Sequence, residues 1–149
     1  MNLSEHFTLA EFTASQTASR LGIPNQPTPE ALRALERTAA GMERVRKALY
    51  DAPILISSGY RCAELNTLVN GSHGSQHLIG EACDFTAPRF GTPEQIMRAL
   101  VGTDVGYDQI ILEFYNPRTG AGWVHISFSD RNRKQALIID HGGPRLWNS

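Results

Sequence analysis

The segment Ser75-Gln76-His77-Leu78-Ile79-Gly80-Glu81-Ala82-Cys83-Asp84 sets an imidazole and a carboxylate seven positions apart, with a glycine between them. A second imidazole, His125, follows in the alternating stretch Trp123-Val124-His125-Ile126-Ser127-Phe128. Two histidines and one carboxylate form a three-ligand set for a divalent metal. Three protein ligands leave a fourth position of zinc open, which is the pattern of a catalytic rather than a structural ion. Gly80 has no Cβ and allows a tight turn between the first two ligands.

A hydrolytic metal needs a proton carrier beside it. Strand alternation places His125 and Ser127 on one face, with Val124, Ile126 and Phe128 toward the core. On a preceding strand Glu113 and Ile111 share a face, and Leu112 and Phe114 lie opposite. A hairpin symmetric about Thr119 would set Glu113 directly across from His125, with Cβ atoms roughly 5 Å apart. A one-residue slip would send Glu113 to the other face. In this register Glu113 takes a proton from water activated by the metal and passes it to the leaving amine. Arg61, in the turn Ser57-Ser58-Gly59-Tyr60-Arg61, offers a guanidinium fork suited to a terminal carboxylate. Ser75 is placed to donate to a substrate carbonyl or carboxylate.

The elements that must hold these groups are legible in outline. Thr8-Leu9-Ala10-Glu11 has capping-box spacing and starts a short helix near Leu9. Thr28-Pro29 opens a long helix to about Tyr50, with Leu32, Leu35, Met42, Val45 and Leu49 along its apolar stripe. Pro53 to Ser57 reads as a strand, Cys62 to Val69 as a brief helix, and Ala82 to Thr86 as a strand. Thr92-Pro93-Glu94 begins another helix, to about Val101. Tyr107 to Phe114 and Gly122 to Ser129 are predicted strands joined by a turn, and Gln135 to Asp140 a last strand. This order predicts one α+β domain over residues 1–149, with a mainly antiparallel sheet and helices on one side.

Composition narrows the function. The chain of 149 residues has 41% hydrophobic and 19% charged residues and a net charge of −1. That balance argues against a broad nucleic-acid surface, which needs clustered cations. No apolar run is long enough to cross a bilayer as a helix. Met1 to His6 carries no secretory signal, so the expectation is synthesis in the cytoplasm, with wall access only after release. The same absence disfavours a Cys62–Cys83 disulfide, and neither cysteine belongs to a C-x-x-C pair. His6, and more weakly His73 and His141, read as structural; His73 is close enough to the motif to line a cleft. Trp123 and Tyr107 read equally as core or cleft wall.

Taken together, Ser57-Ser58-Gly59-Tyr60-Arg61, Ser75-x-His77-x-x-Gly80-x-Ala82-x-Asp84 and Trp123-Val124-His125-Ile126 resemble the zinc D-Ala-D-Ala carboxypeptidase family of metallopeptidases. The compact single-domain members of bacteria, phages and prophages are the most similar. Phe7-Thr8-Leu9-Ala10-Glu11-Phe12 extends the resemblance upstream, so that it covers about residues 4 to 130. It implies a small α+β fold shared with the hedgehog signalling domain, Zn²⁺ on His77, Asp84 and His125, and substrate contacts from Arg61 and Ser75. It also implies cleavage of peptidoglycan stem peptides, next to D-amino acids or at L-alanyl-D-glutamate bonds. Some members carry the catalytic acid three positions before the last histidine, where this chain has Gly122; Glu113 is the replacement that strand pairing suggests. A monomeric phage or prophage lysin fits this reading, as does a bacterial muropeptide-recycling enzyme. The alternative is a zinc-containing module, or a phage structural part, that binds wall peptides without cutting them.

Overall fold

The structure, a computed structural model, describes residues 1–148. Among the described residues, all but one of the α-helices begin where a side chain satisfies a free backbone N–H group of the first turn. Thr8 and Glu11 form the expected capping box on α1 (Leu9–Thr13). Thr28 caps α3 (Pro29–Ala48), with Pro29 in the first turn, and Thr92 and Gln95 form a second capping box on α5 (Pro93–Val101). Between α3 and α5 lies α4 (Ala63–Leu68). A short helix not anticipated from the sequence, α2 (Gln16–Leu21), is capped by Ser15 and closed by Gly22 in the left-handed conformation. Both end signals are present in the sequence, but six residues carry too little periodicity to reveal a helix between them.

Six strands form one sheet in the order β1-β2-β4-β3-β5-β6. They are β1 (Leu55–Ser58), β2 (Ala82–Thr86), β3 (Gln109–Asn116), β4 (Ala121–Ser127), β5 (Gln135–Asp140) and β6 (Gly143–Leu146). All neighbours are antiparallel except β3 and β5. The fold is therefore α+β with a mainly antiparallel sheet, as expected. β6 was not expected; it returns from β5 after a tight turn in which the Gly142 N–H donates to Asp140 Oδ1 at 2.9 Å.

Alternation along the central strands separates packing from chemistry. Cys83 and Phe85 of β2, Ile110 and Leu112 of β3, and Val124 and Ile126 of β4 join one core cluster. Leu35, Met42, Val45 and Leu49 of the long-helix stripe enter the same cluster, with Ile96, Met97 and Leu100 of α5. Each such side chain, fully buried, contributes about 1.5–3 kcal/mol. Leu32 is only half-buried, while Ala31, Thr38 and Ala39 complete the inward face of α3. Cys62 and Cys83 are both free thiols, Cys83 in the core and Cys62 at the start of α4. Among the described residues no helix is long and apolar enough to cross a membrane.

The β3–β4 register corrects the hairpin expected from the sequence. Glu113 pairs with Trp123 and Ile111 with His125, and the ladder is irregular between Glu113 and Asn116. The offset from the expected pairing is two residues, so Glu113 keeps the face of His125. The irregularity acts on Phe114 instead. Its φ of 51° rotates it away from the core, leaving it 38% exposed with its ring on Trp123 and His141. Opposite this kink Gly122 has φ 113°, and a Cβ there would lie 2.7 Å from Tyr115 Cα. Glycine at this position is thus a requirement of the bulge.

Gly80 is the second glycine with no substitute. It ends the 3-10 turn Gln76–Ile79 at φ 79°, and a Cβ would meet the Ala31 carbonyl oxygen of α3 at 2.5 Å. Gly80→Ala is expected to destabilise the protein by about 2–3 kcal/mol, from backbone strain and displacement of the turn from α3. Urea denaturation followed by circular dichroism measures this, and an unchanged midpoint would contradict the packing described.

Candidate metal centre

Three elements deliver three side chains to one point. β2 carries Asp84 and β4 carries His125, and the two are direct cross-strand partners. The 3-10 turn carries His77, and Ser75 caps that turn by accepting the His77 N–H at 3.2 Å. All three residues are buried, His77 at 2%, Asp84 at 8% and His125 at 9% exposure.

Their orientation is set by hydrogen bonding. The Gly59 carbonyl lies 2.6 Å from His77 Nδ1 and can only accept, so Nδ1 carries the proton and Nε2 offers its lone pair. His77 Nε2 lies 3.2 Å from Asp84 Oδ1, and His125 Nδ1 lies 3.1 Å from the same oxygen. The rings meet edge-on, with centroids 5.1 Å apart. One ligand atom from each residue falls within 4.8 Å of the others. Bonds of about 2.0 Å to a tetrahedral ion place its donors about 3.3 Å apart, so two nitrogens and one carboxylate oxygen at this spacing suit a divalent metal. The backbone carbonyl behind His77 is the kind of outer partner that orients a ligating imidazole.

Electrostatics agree with the geometry. Burial works against an ionised Asp84, but the charges and hydrogen bonds of His77 and His125 outweigh it and hold the carboxyl well below its usual range. Burial likewise works against a protonated His125, yet the hydrogen bond and charge of Asp84, with help from Glu113, raise its pKa above 6.5.

Glu113 stands beside this trio. Its Oε1 is 3.9 Å from His125 Nδ1 and accepts the Trp123 indole N–H at 3.1 Å. Burial, with the nearby Asp84 charge, raises its pKa above 4.5. Arg61 enters from the end of β1. Its backbone N–H donates to the His77 carbonyl at 3.1 Å, and its Nη2 lies 3.4 Å from Ser75 Oγ. Its Nε is buried without a hydrogen-bond partner. Ser75 therefore both caps the turn and touches Arg61.

These residues line a cleft of about 680 Å³ that contains Arg61, Ser75, His77, Asp84, Glu113 and His125 together. Every site residue singled out in the sequence is present in it. A second groove of about 620 Å³ along β1 shares Arg61, Asp84 and Trp123. Trp123 is thus cleft wall, whereas Tyr107 is buried with its hydroxyl donating to the Val101 carbonyl. His6 pairs with Glu43, His73 is exposed outside the cleft lining, and His141 packs on Phe114.

Sequence reasoning missed the support behind the 3-10 turn. Asp108 is fully buried, accepts from the Arg133 backbone and guanidinium at 2.7–2.9 Å, and accepts from Gln76 Nε2 at 3.0 Å. Gln76 also reaches Glu81 at 3.4 Å, and Glu81 pairs with Arg37 of α3 at 2.8 Å. The one available signal was the adjacency of Gln76 to His77, since nothing in the spacing links positions 76, 108 and 133.

No curated protein matches the chain. A family model described as Peptidase M15 matches residues 5–114, well over half of the sequence. The matched region includes Arg61, Ser75, His77, Asp84 and Glu113 and stops short of His125, whose membership of the trio rests on the β2–β4 register. The chain belongs to the peptidase M15 family of metallopeptidases, the zinc D-Ala-D-Ala carboxypeptidase-like group that its motifs resemble.

Proposed function

We propose that the protein is a zinc-dependent peptidase that hydrolyses peptide bonds in peptidoglycan stem peptides. His77, Asp84 and His125 hold the ion, Glu113 is the general base and acid, and Arg61 and Ser75 receive the substrate. The observation that carries this reading is the convergence of His77 Nε2 and His125 Nδ1 on Asp84 Oδ1, with a second carboxylate 3.9 Å from His125.

When bound, a divalent ion acidifies a water and polarises a substrate carbonyl. The remaining work falls to the chain. Trp123 anchors Glu113 Oε1, so the carboxylate is held at the site with its other oxygen available to accept a proton. Burial makes that carboxylate a stronger base than an exposed glutamate, and the same proton then passes to the leaving amine. Arg61 has donors to spare and takes the terminal carboxylate of the peptide. Ser75, bonded to Arg61, aligns that end of the substrate.

The bond cut is either the terminal D-Ala-D-Ala bond, as in a carboxypeptidase, or an internal DD or L-alanyl-D-glutamate bond. The setting we favour is a phage or prophage lysin made in the cytoplasm that reaches the wall after membrane permeabilisation. A raised-pKa carboxylate beside the histidine pair supports catalysis over mere retention of wall peptides, because a binding module has no need of a base.

Three outcomes are expected. Glu113→Gln should lower kcat by about 10²–10⁴-fold with metal stoichiometry unchanged, as read by stem-peptide turnover and metal analysis; full turnover in that variant would remove Glu113 from the mechanism. Chelation should abolish digestion of purified peptidoglycan and zinc restore it, with mass spectrometry of the new termini identifying the bond. Apparent zinc affinity should fall as pH drops, starting above pH 6.5 because the raised His125 pKa lets a proton compete for Nδ1. Chelator competition should show about a tenfold weakening per pH unit for each proton displaced, and a flat profile would argue against His125 as a ligand.

A further inference from the structure

The cleft holds a second cation that the proposed mechanism leaves unused. Arg61 approaches the trio from the β1 edge of the sheet. The loop from Ser129 to Lys134, which joins β4 to β5 on the far side of β3, contributes Arg131 and Arg133 to the lining of the same cleft. These two arginines are not equivalent. The Arg133 guanidinium is consumed by Asp108, with Nε and Nη2 both bonded to that carboxylate. Arg131 is exposed and makes no ion pair among the described residues.

The loop that presents Arg131 is built to hold a shape. Asp108 pins it through the Arg133 backbone N–H as well as the side chain. Ser129 Oγ accepts the Arg131 N–H at 3.2 Å, and the Ser129 carbonyl accepts the Asn132 N–H at 3.3 Å. Asn132 and Lys134 adopt left-handed backbone conformations, with φ of 44° and 50°, that cost non-glycine residues energy. Strained loops of this kind cluster at ligand clamps.

Resting on the peptidase reading above, we infer that Arg131 is a specificity-determining residue that receives a second, internal carboxylate of the peptide, while Arg61 takes the terminal one. The cleft then selects an acidic peptide with negative charge at two separated points. A stem peptide with free internal carboxylates meets this demand; the same peptide with those carboxylates amidated does not.

The test compares these two peptides, terminal carboxylate free in both, by titration calorimetry on zinc-loaded protein in a Glu113→Gln background that stops turnover. The free-acid peptide should bind about five- to tenfold more tightly, the effect of one charge-assisted bidentate contact in a half-open cleft. Arg131→Ala should bring the ratio close to one without weakening the amidated peptide, and Arg131→Lys should retain most of the preference. A preference absent from the start, a ratio that survives Arg131→Ala, or equal weakening of both peptides by that variant would overturn the inference. Turnover of the amidated peptide by zinc-loaded protein with Glu113 intact reports separately on the peptidase reading. If that peptide is cut while the ratio ignores Arg131, only the assignment of Arg131 fails.

Discussion

A buried carboxylate that cannot stand alone organises this molecule. Asp84 lies under the surface of a sheet, where an uncompensated charge costs several kcal/mol even after relaxation. Two imidazoles, arriving from β4 and from the 3-10 turn, meet its Oδ1 at 3.1 and 3.2 Å. Each partner depends on something else. His125 is there because β2 and β4 pair with Asp84 opposite it. His77 is there because Gly59 accepts from its Nδ1 and Gly80 lets the turn end against α3.

The sheet divides its labour by strand alternation. Along β2, Cys83 and Phe85 are core while Asp84 faces the cleft; along β4, Val124 and Ile126 are core while His125 faces the cleft. Packing from α3 and α5 on one face thus fixes the backbone from which the polar face projects. The bulge in β3 adds a local exception. It takes Phe114 out of the alternation and lays it beside Trp123, so the wall around Glu113 is aromatic and the carboxylate is partly shielded from water. Burial is the largest cause of its raised pKa, and the nearby Asp84 charge adds to it.

Behind the His77–Asp84–His125 trio, polar pairing does what apolar packing does in front. Asp108 joins the loop after β4 to Gln76, and Glu81 joins Gln76 to Arg37 of α3. A fully buried carboxylate receiving three donors from Arg133 is a rigid connection, and its pKa is held far below normal first by that guanidinium. The 3-10 turn bearing His77 is therefore clamped from two sides by charge, while its backbone is closed by Ser75 and Gly80.

Sequence alone determined the candidate metal-binding residues, most of the helix starts and the faces of the central strands, because these follow from local chemistry: capping side chains, 3.6- and 2-residue periodicity, and donor atoms suited to a metal. The expectation that Glu113 shares a face with His125 held because the observed register differs from the expected one by two residues, which leaves a two-residue alternation unchanged; an offset of one would have reversed it. Sequence did not reveal α2 or β6, whose stabilisation comes from packing and pairing rather than from periodicity of their own. Tertiary structure decided the true β3–β4 register, the outward turn of Phe114, the tautomer of His77 and the network around Asp108. Each of these depends on contacts between residues distant in the chain, such as Gly59 with His77 or Gln76 with Asp108, and no local pattern encodes where such partners meet.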